Sequence, residues 1–168
     1  MLGELPGSGY GGGATAISAD GSAVVGSSES GNGREAFRWT AAGGMEGLGD
    51  IDSIRVHYFF SEAYDVSGDG RVVVGMGYAE NYEAFVWTAA GGIQSLAELL
   101  TQDYGLDLAG RHLTRAVGVS DDGFTFSGTG VNPSGKTEAW IATIPEPASA
   151  ALVTLGCALL SAPRRRHG

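Results

Sequence analysis

Asp65, Ser67 and Asp69 occupy alternate positions ahead of Gly70, the opening of a calcium loop in which such oxygens ligate the ion. The pattern then fails, because no glutamate closes the loop at its twelfth position and the matching first positions elsewhere in the chain are Ala16 and Gly118. Asp20, Asp69 and Asp122 each precede a glycine, and their simplest use is in tight turns. His57 and His112 have neither a cysteine nor a second histidine at ligand spacing, and Cys157 is the only cysteine, which excludes a disulfide scaffold and a cysteine-based zinc site. Gly7, Gly9 and Gly12 satisfy the dinucleotide spacing G-x-G-x-x-G, but that motif needs a strand before it and a helix after it, and this stretch has neither. No nucleophile elbow, phosphate loop or metal-binding helix motif is present. Paired carboxylates for glycoside hydrolysis stay open, because their separation is fixed only in three dimensions. Tyr58, Phe59, Phe60 and Tyr64 form a dense aromatic group that suits sugar stacking, although large aromatics in β-rich segments mostly fill cores. No cofactor is expected.

The elements that must position these residues are repeats. EAFRWTAAGG at 35–44 returns as EAFVWTAAGG at 83–92 and, worn, as EAWIAT at 138–143. Each copy follows a segment of one kind: ISADGSAVVG, VSGDGRVVVG and VSDDGFTFSG. Self-similarity at a period of about 50 residues points to propellers or solenoids, whose units bury their apolar faces on one another. The units run over 14–50, 63–100 and 113–144. In each, an Asp-Gly pair between β-rich runs predicts a hairpin whose two central residues take positive φ. Two-residue alternation then puts Phe37 and Trp39 on one strand face, with Ala36 and Arg38 on the other; Phe85 and Trp87 repeat the arrangement. In the third unit Trp140 holds the first of these positions and Ala142 the second.

Four strands per unit is the arithmetic of a propeller blade. The expected fold is all-β, with three four-stranded propeller-like blades over 1–144. Leu96, Leu99 and Leu100 at helical spacing, followed by Gly105, add one short helix near 95–103. The third unit lacks a fourth strand, and LGELP near the N-terminus, which loosely matches MEGLGD after the first EAF motif, is a surplus strand-like segment able to complete that blade. Propellers have four to eight blades, so with three units an open arc, a piece of a larger ring or an oligomer is as plausible as a closed ring.

The formal net charge is −9, and without Arg164, Arg165 and Arg166 there are 7 basic against 19 acidic residues, or −12. Phosphate backbones are repelled by such a surface, so no nucleic acid partner is expected. Composition changes at Pro145. From Ala148 to Ala162 the chain is uncharged, and as a helix at 1.5 Å per residue it spans roughly 22 Å against a hydrocarbon core of about 30 Å. The three arginines directly after it favour the cytoplasmic side, which turns the repeats outward.

The order Pro145-Glu146-Pro147, apolar stretch, Arg164-Arg165-Arg166 resembles the PEP-CTERM sorting signal of exported Gram-negative bacterial proteins. That resemblance implies cleavage near the tripeptide by an exosortase-type membrane protease, transient anchoring of 145–168 in the inner membrane, and release or display of the repeats at the cell surface, often alongside exopolysaccharide. Pro163 departs from the pattern at the apolar-to-basic junction, and the first residues carry no visible secretory signal. The repeats themselves resemble the HAF family of extracellular repeats through IS-x-DG-x-x-VVG and EAF-x-WT-AAGG, over about residues 2–144. The resemblance implies an exported or surface protein and brings no catalytic residues. The expectation is a non-enzymatic β-repeat protein contacting polysaccharide or other envelope components; the alternative is a propeller-type enzyme acting on glycans through loop carboxylates.

Overall fold

The computed structural model describes residues 2–7, 11–51 and 59–146. His57, Tyr58, Pro147, Cys157, the apolar 148–162 stretch and Arg164 to Arg166 lie outside the described residues. Among the described residues eleven strands form three antiparallel sheets. The first contains β1 (Gly13–Ile17), β2 (Ala23–Glu29), β3 (Arg34–Thr40) and β4 (Gly44–Gly47) in that spatial order. The second repeats it with β5 (Ser61–Val66), β6 (Val72–Tyr78), β7 (Tyr82–Thr88) and β8 (Gly92–Ser95). The third has β9 (His112–Val119), β10 (Thr125–Val131) and β11 (Thr137–Thr143) and is three-stranded. The expected helix is present: α1 (Leu96–Glu98), capped by the Ser95 hydroxyl accepting from Glu98 N–H at 3.2 Å, runs on as a π turn over Leu99–Asp103. Its Leu96 and Leu100 are buried, and Gly105 follows at φ +65.

One hydrogen-bonded clasp makes the first hairpin of every unit. Ser18, Ser67 and Ser120 donate their hydroxyls to Asp20, Asp69 and Asp122 at 2.7, 2.8 and 2.5 Å. The same carboxylate oxygens accept from the N–H groups of Ser22, Arg71 and Phe124, and the same hydroxyls accept from Ala23, Val72 and Thr125. The turn differs from the expected two-residue type. Only the glycines, at φ +70, +72 and +79, are left-handed, while the aspartates keep negative φ. A serine two residues upstream supplies a local acceptor and donor, and so favours a longer loop with a single left-handed residue over the tight mirror-image turn.

These hydrogen bonds hold all three aspartates below the usual carboxylate range, the serine hydroxyl being the largest cause in each. A carboxylate depressed in the folded state adds stability above its unfolded value of about 4, and the addition is lost as pH falls through the lower folded value. The urea midpoint should therefore hold steady from neutral pH to about 5 and drop below about 4. Replacing Asp20, Asp69 and Asp122 together by Asn, which keeps an acceptor oxygen but no titrating charge, should flatten that acid limb.

Each unit also carries a one-residue bulge five positions before the clasp aspartate, at Thr15, Tyr64 and Val117. Next to it a glycine of the second strand faces an aromatic of the third: Gly26 opposite Phe37, Gly75 opposite Phe85, Gly128 opposite Trp140. A Cβ on any of these glycines would stand 2.0 Å from a first-strand carbonyl oxygen, of Gly13, Glu62 and Arg115 in turn.

The sheets stack face to face, first on second and second on third. Val25, Ala36 and Leu48 meet Ala63, Val66, Val73, Phe85 and Trp87 in one core. Val74, Ala84, Val86, Leu96 and Leu100 meet Leu113, Ala116, Phe126 and Ile144 in the other. The pleat of β6 and β7 sends alternate residues to the two cores, so the middle sheet is buried on both faces. Main-chain and side-chain hydrogen bonds cross between units as well. Asp20 N–H donates to Gly68 C=O and Gly68 N–H to Asp121 C=O, at 3.1 and 3.0 Å. The Thr15 hydroxyl donates to Ala63 C=O at 2.7 Å, and Val119 N–H donates to the Asp65 carboxylate at 2.9 Å.

LGELP does not complete the third sheet. Residues 2–7 lie against the first unit, where Leu5 is buried, Pro6 C=O accepts from Gly31 N–H, and Leu2 and Glu4 border a cavity with Phe37 and Met45. Among the described residues the third sheet keeps three strands.

Candidate functional site

The polar and aromatic residues that differ among the units collect at one rim, opposite the clasps, where the second strand of each sheet turns into the third. Tyr78 and Tyr82 are the last cross-strand pair of β6 and β7 and stack edge to face at 5.4 Å between ring centroids. Phe60, just before β5, adds a third ring 5.7 Å from Tyr82, and Phe60 C=O accepts from Tyr78 N–H. Tyr82 is exposed and Phe60 half-buried. The Nε2 of His112, at the start of β9, lies 2.9 Å from Tyr82 C=O and so links the second and third units.

A charged band borders these rings. Arg34 of β3 pairs with Glu62 of β5 and lies 3.9 Å from Glu29. Glu62 accepts the Tyr64 hydroxyl at 2.8 Å, and the Arg115 guanidinium lies 5.7 Å over the Tyr64 ring while bonding Met76 Sδ. Burial first, then the bond to Glu62 and its charge, push the Tyr64 phenol up to about 12. On the third unit Arg111 and Asn132 both donate to Glu138, at 2.5 and 3.1 Å, and hold it below the usual carboxylate range. Beside them a cavity of about 420 Å³ opens along β11, lined by Leu106, Leu108, Arg111, Glu138, Trp140 and Ile141. The indole Nε1 of Trp140 is buried without a hydrogen-bond partner among the described residues.

The residues first weighed for chemistry are otherwise occupied. Asp65 turns its carboxylate to Val119 N–H, Ser67 and Asp69 close their clasp, and no group of three or more His, Cys, Asp or Glu among the described residues is placed to hold a metal ion. His112 bridges two units, and Phe60 and Tyr64 take part in ring packing. The repeat-equivalent Glu35 and Glu83 tie down the exit of the following strand, by accepting from Gly49 N–H and from the Ser95 hydroxyl. Of the sorting-signal residues, Pro145 and Glu146 are exposed directly after buried Ile144, whose N–H closes on Phe124 C=O. No helix of the described residues is long and apolar enough to cross a membrane.

The rim groups Arg34–Glu62, Tyr78–Tyr82 and Arg111–Glu138 were not singled out from sequence. The usable signal was positional, since the loops before the three EAF-type strands are where the units differ most in composition. Compared with family models, with curated proteins and with solved structures, the chain matches none.

Proposed function

We propose that this chain is a non-enzymatic exported or cell-surface protein. Its three stacked sheets act as propeller-like blades, and its C-terminal 145–168 segment is a PEP-CTERM-type sorting signal processed by an exosortase-type protease. The observation that carries this reading is the exposure of Pro145 and Glu146 directly beyond buried Ile144. A protease can reach an exposed segment without opening a core, and cleavage beyond Ile144 leaves the strands of the three sheets intact. The recurring serines and aspartates are used in every unit to hold the fold, and the recurring glutamates Glu35 and Glu83 do the same in the first two. On this reading binding falls to the variable rim, where Tyr82, Tyr78 and Phe60 offer aromatic faces to polysaccharide within an acidic exterior.

The test is processing in a Gram-negative host. The chain, fused behind a secretory signal peptide, is expressed with and without an exosortase-type protease. The expected result is a truncation near Pro145-Glu146-Pro147, read by intact mass, only where the protease is present and abolished when Pro145 and Glu146 are changed to Ala. An uncut chain in both hosts overturns the sorting reading. The released repeats, applied to a glycan array, should bind without releasing sugar; turnover would favour the enzyme alternative.

A further inference from the structure

The repeated third strand reads EAFRWT in the first unit and EAFVWT in the second, so one position changes from an aliphatic residue to a cation. Val86 is 2% exposed and packs in the core between the second and third units. Its counterpart Arg38 faces the second unit in the same way, and the third unit carries Ile141 at this position. An aliphatic side chain serves the fold here, so the arginine needs another reason. Its Nε donates to Gly70 C=O at 2.8 Å, and the guanidinium lies 5.7 Å over the ring of buried Trp87. Those two contacts hold the group in place between the units, with some cation–π attraction. The four N–H bonds of its two terminal nitrogens have no partner among the described residues.

Ion pairs between described residues are made by Arg34, Arg71 and Arg111, and Arg38 makes none, although Glu46 stands opposite it on β4. A half-buried cation without a carboxylate partner is unexpected in a chain of formal net charge −9. Beside it opens a cavity of about 320 Å³, lined by Arg38 and by Arg71, Val72, Trp87 and Thr88 of the second unit. That volume lies at the lower end of the range for small-ligand sites. Arg71 is a second cation at the same cavity. Its side chain is 83% exposed and meets Asp69 only at 3.5 Å, a weak surface pair, while the other oxygen of Asp69 is held in the clasp. The cavity sits where Val72 pairs with Thr88, at the clasp end of β6 and β7, whereas Tyr78 and Tyr82 pair at their opposite end.

We propose that this cavity between the first and second units binds the carboxylate of an acidic sugar, a uronate residue of a polysaccharide. The two terminal nitrogens of Arg38 grip the carboxylate as a planar fork, and Arg71 closes on it from the solvent side. Val72 and the edge of Trp87 take the apolar face of the sugar ring. The acidic exterior repels runs of charge, so the preferred ligand carries its uronate among neutral sugars rather than in a polyanion. This site is separate from the aromatic rim and stands whether or not the rim binds glycans.

Isothermal titration of the full chain in detergent tests the assignment. The probes are an aldobiouronic acid, which joins one uronate to one neutral sugar, its methyl ester, and inorganic phosphate. The acid should bind, and the ester, which has the same rings without the charge, should bind at least about tenfold more weakly. Arg38→Val installs the residue type of the second unit, so it should keep the wild-type thermal midpoint and lose the binding. Arg38→Lys keeps the charge without the planar fork and should recover only part of it. Arg71→Gln should weaken binding a few-fold, and Tyr82→Ala, at the rim, should leave it unchanged. Wild-type chain that binds none of the probes, or acid and ester alike, overturns the proposal. So does binding that survives Arg38→Val or is lost with Tyr82→Ala, and so does phosphate binding more tightly than the sugar acid.

Discussion

Gly75→Ala is expected to leave no folded protein. The added Cβ would stand 2.0 Å from the Glu62 carbonyl oxygen and 2.6 Å from Cε1 of the Phe85 ring. Real Cβ atoms do not approach backbone that closely, and neither neighbour is free to give way. The Glu62 carbonyl belongs to β5 just before its bulge, and the Phe85 ring is fully buried between two sheets. Relief requires parting β5 from β6 or expelling the ring, and both disrupt the core between the first and second units. The loss should exceed about 5 kcal/mol, the scale above which single substitutions are exceptional and comparable with the whole stability of many domains. Soluble yield and far-UV circular dichroism read the outcome. Gly13→Ala is the control, since a Cβ there meets nothing within 4 Å, and it should fold normally.

Phe85→Ala comes second in size. The ring is 0% exposed and is shared by Ala63, Val66, Val73 and their partners across the sheet interface, so its removal forfeits transfer free energy and leaves a cavity that stacked sheets close poorly. A loss of about 3–5 kcal/mol is expected, read as a lowered urea midpoint. Phe85→Leu should recover a large part of it, because an aliphatic side chain refills much of the space. Phe85 and Gly75 form one unit, the ring lying flat on the strand where no side chain can stand. An aromatic facing a glycine in this way is a recognised device for covering exposed strand backbone. The same pairing recurs with Trp140 over Gly128.

Much of this could be read in the chain. Two-residue alternation set Phe85 and Trp87 on one face of their strand, and the structure buries both in one core while Ala84 and Val86 go to the other; of Ala36 and Arg38, set opposite Phe37 and Trp39, Ala36 is buried and Arg38 is half-buried over Trp87. The helical spacing of Leu96 and Leu100 marked the one helix. The bulges at Thr15, Tyr64 and Val117 were not legible, because three different residue types occupy one backbone irregularity. The clasp was misjudged as a tight Asp-Gly turn because the serine two positions earlier competes for the same N–H groups, and that competition is local geometry rather than propensity. The seat of residues 2–7 was also missed. A short apolar segment pairs with the nearest uncovered face, and composition does not say which face that is. The rim pairs Arg34–Glu62 and Arg111–Glu138 join residues 28 and 27 apart in sequence, so their meeting depended on how the sheets stack.

The clasp tips are joined to one another through peptide groups, Asp20 to Gly68 and Gly68 to Asp121. Those bonds ask nothing of the side chains, so the spacing of that end survives almost any drift in surface residues. At the far end, among the described residues, the units meet through a single main-chain bridge from Arg34 to Phe60 and through side chains such as His112 on Tyr82 C=O, and the loops between second and third strands differ from unit to unit while the scaffold stays in register. The molecule thus has a keel and a deck: one side sets the geometry, and the other is where new specificities can be grafted.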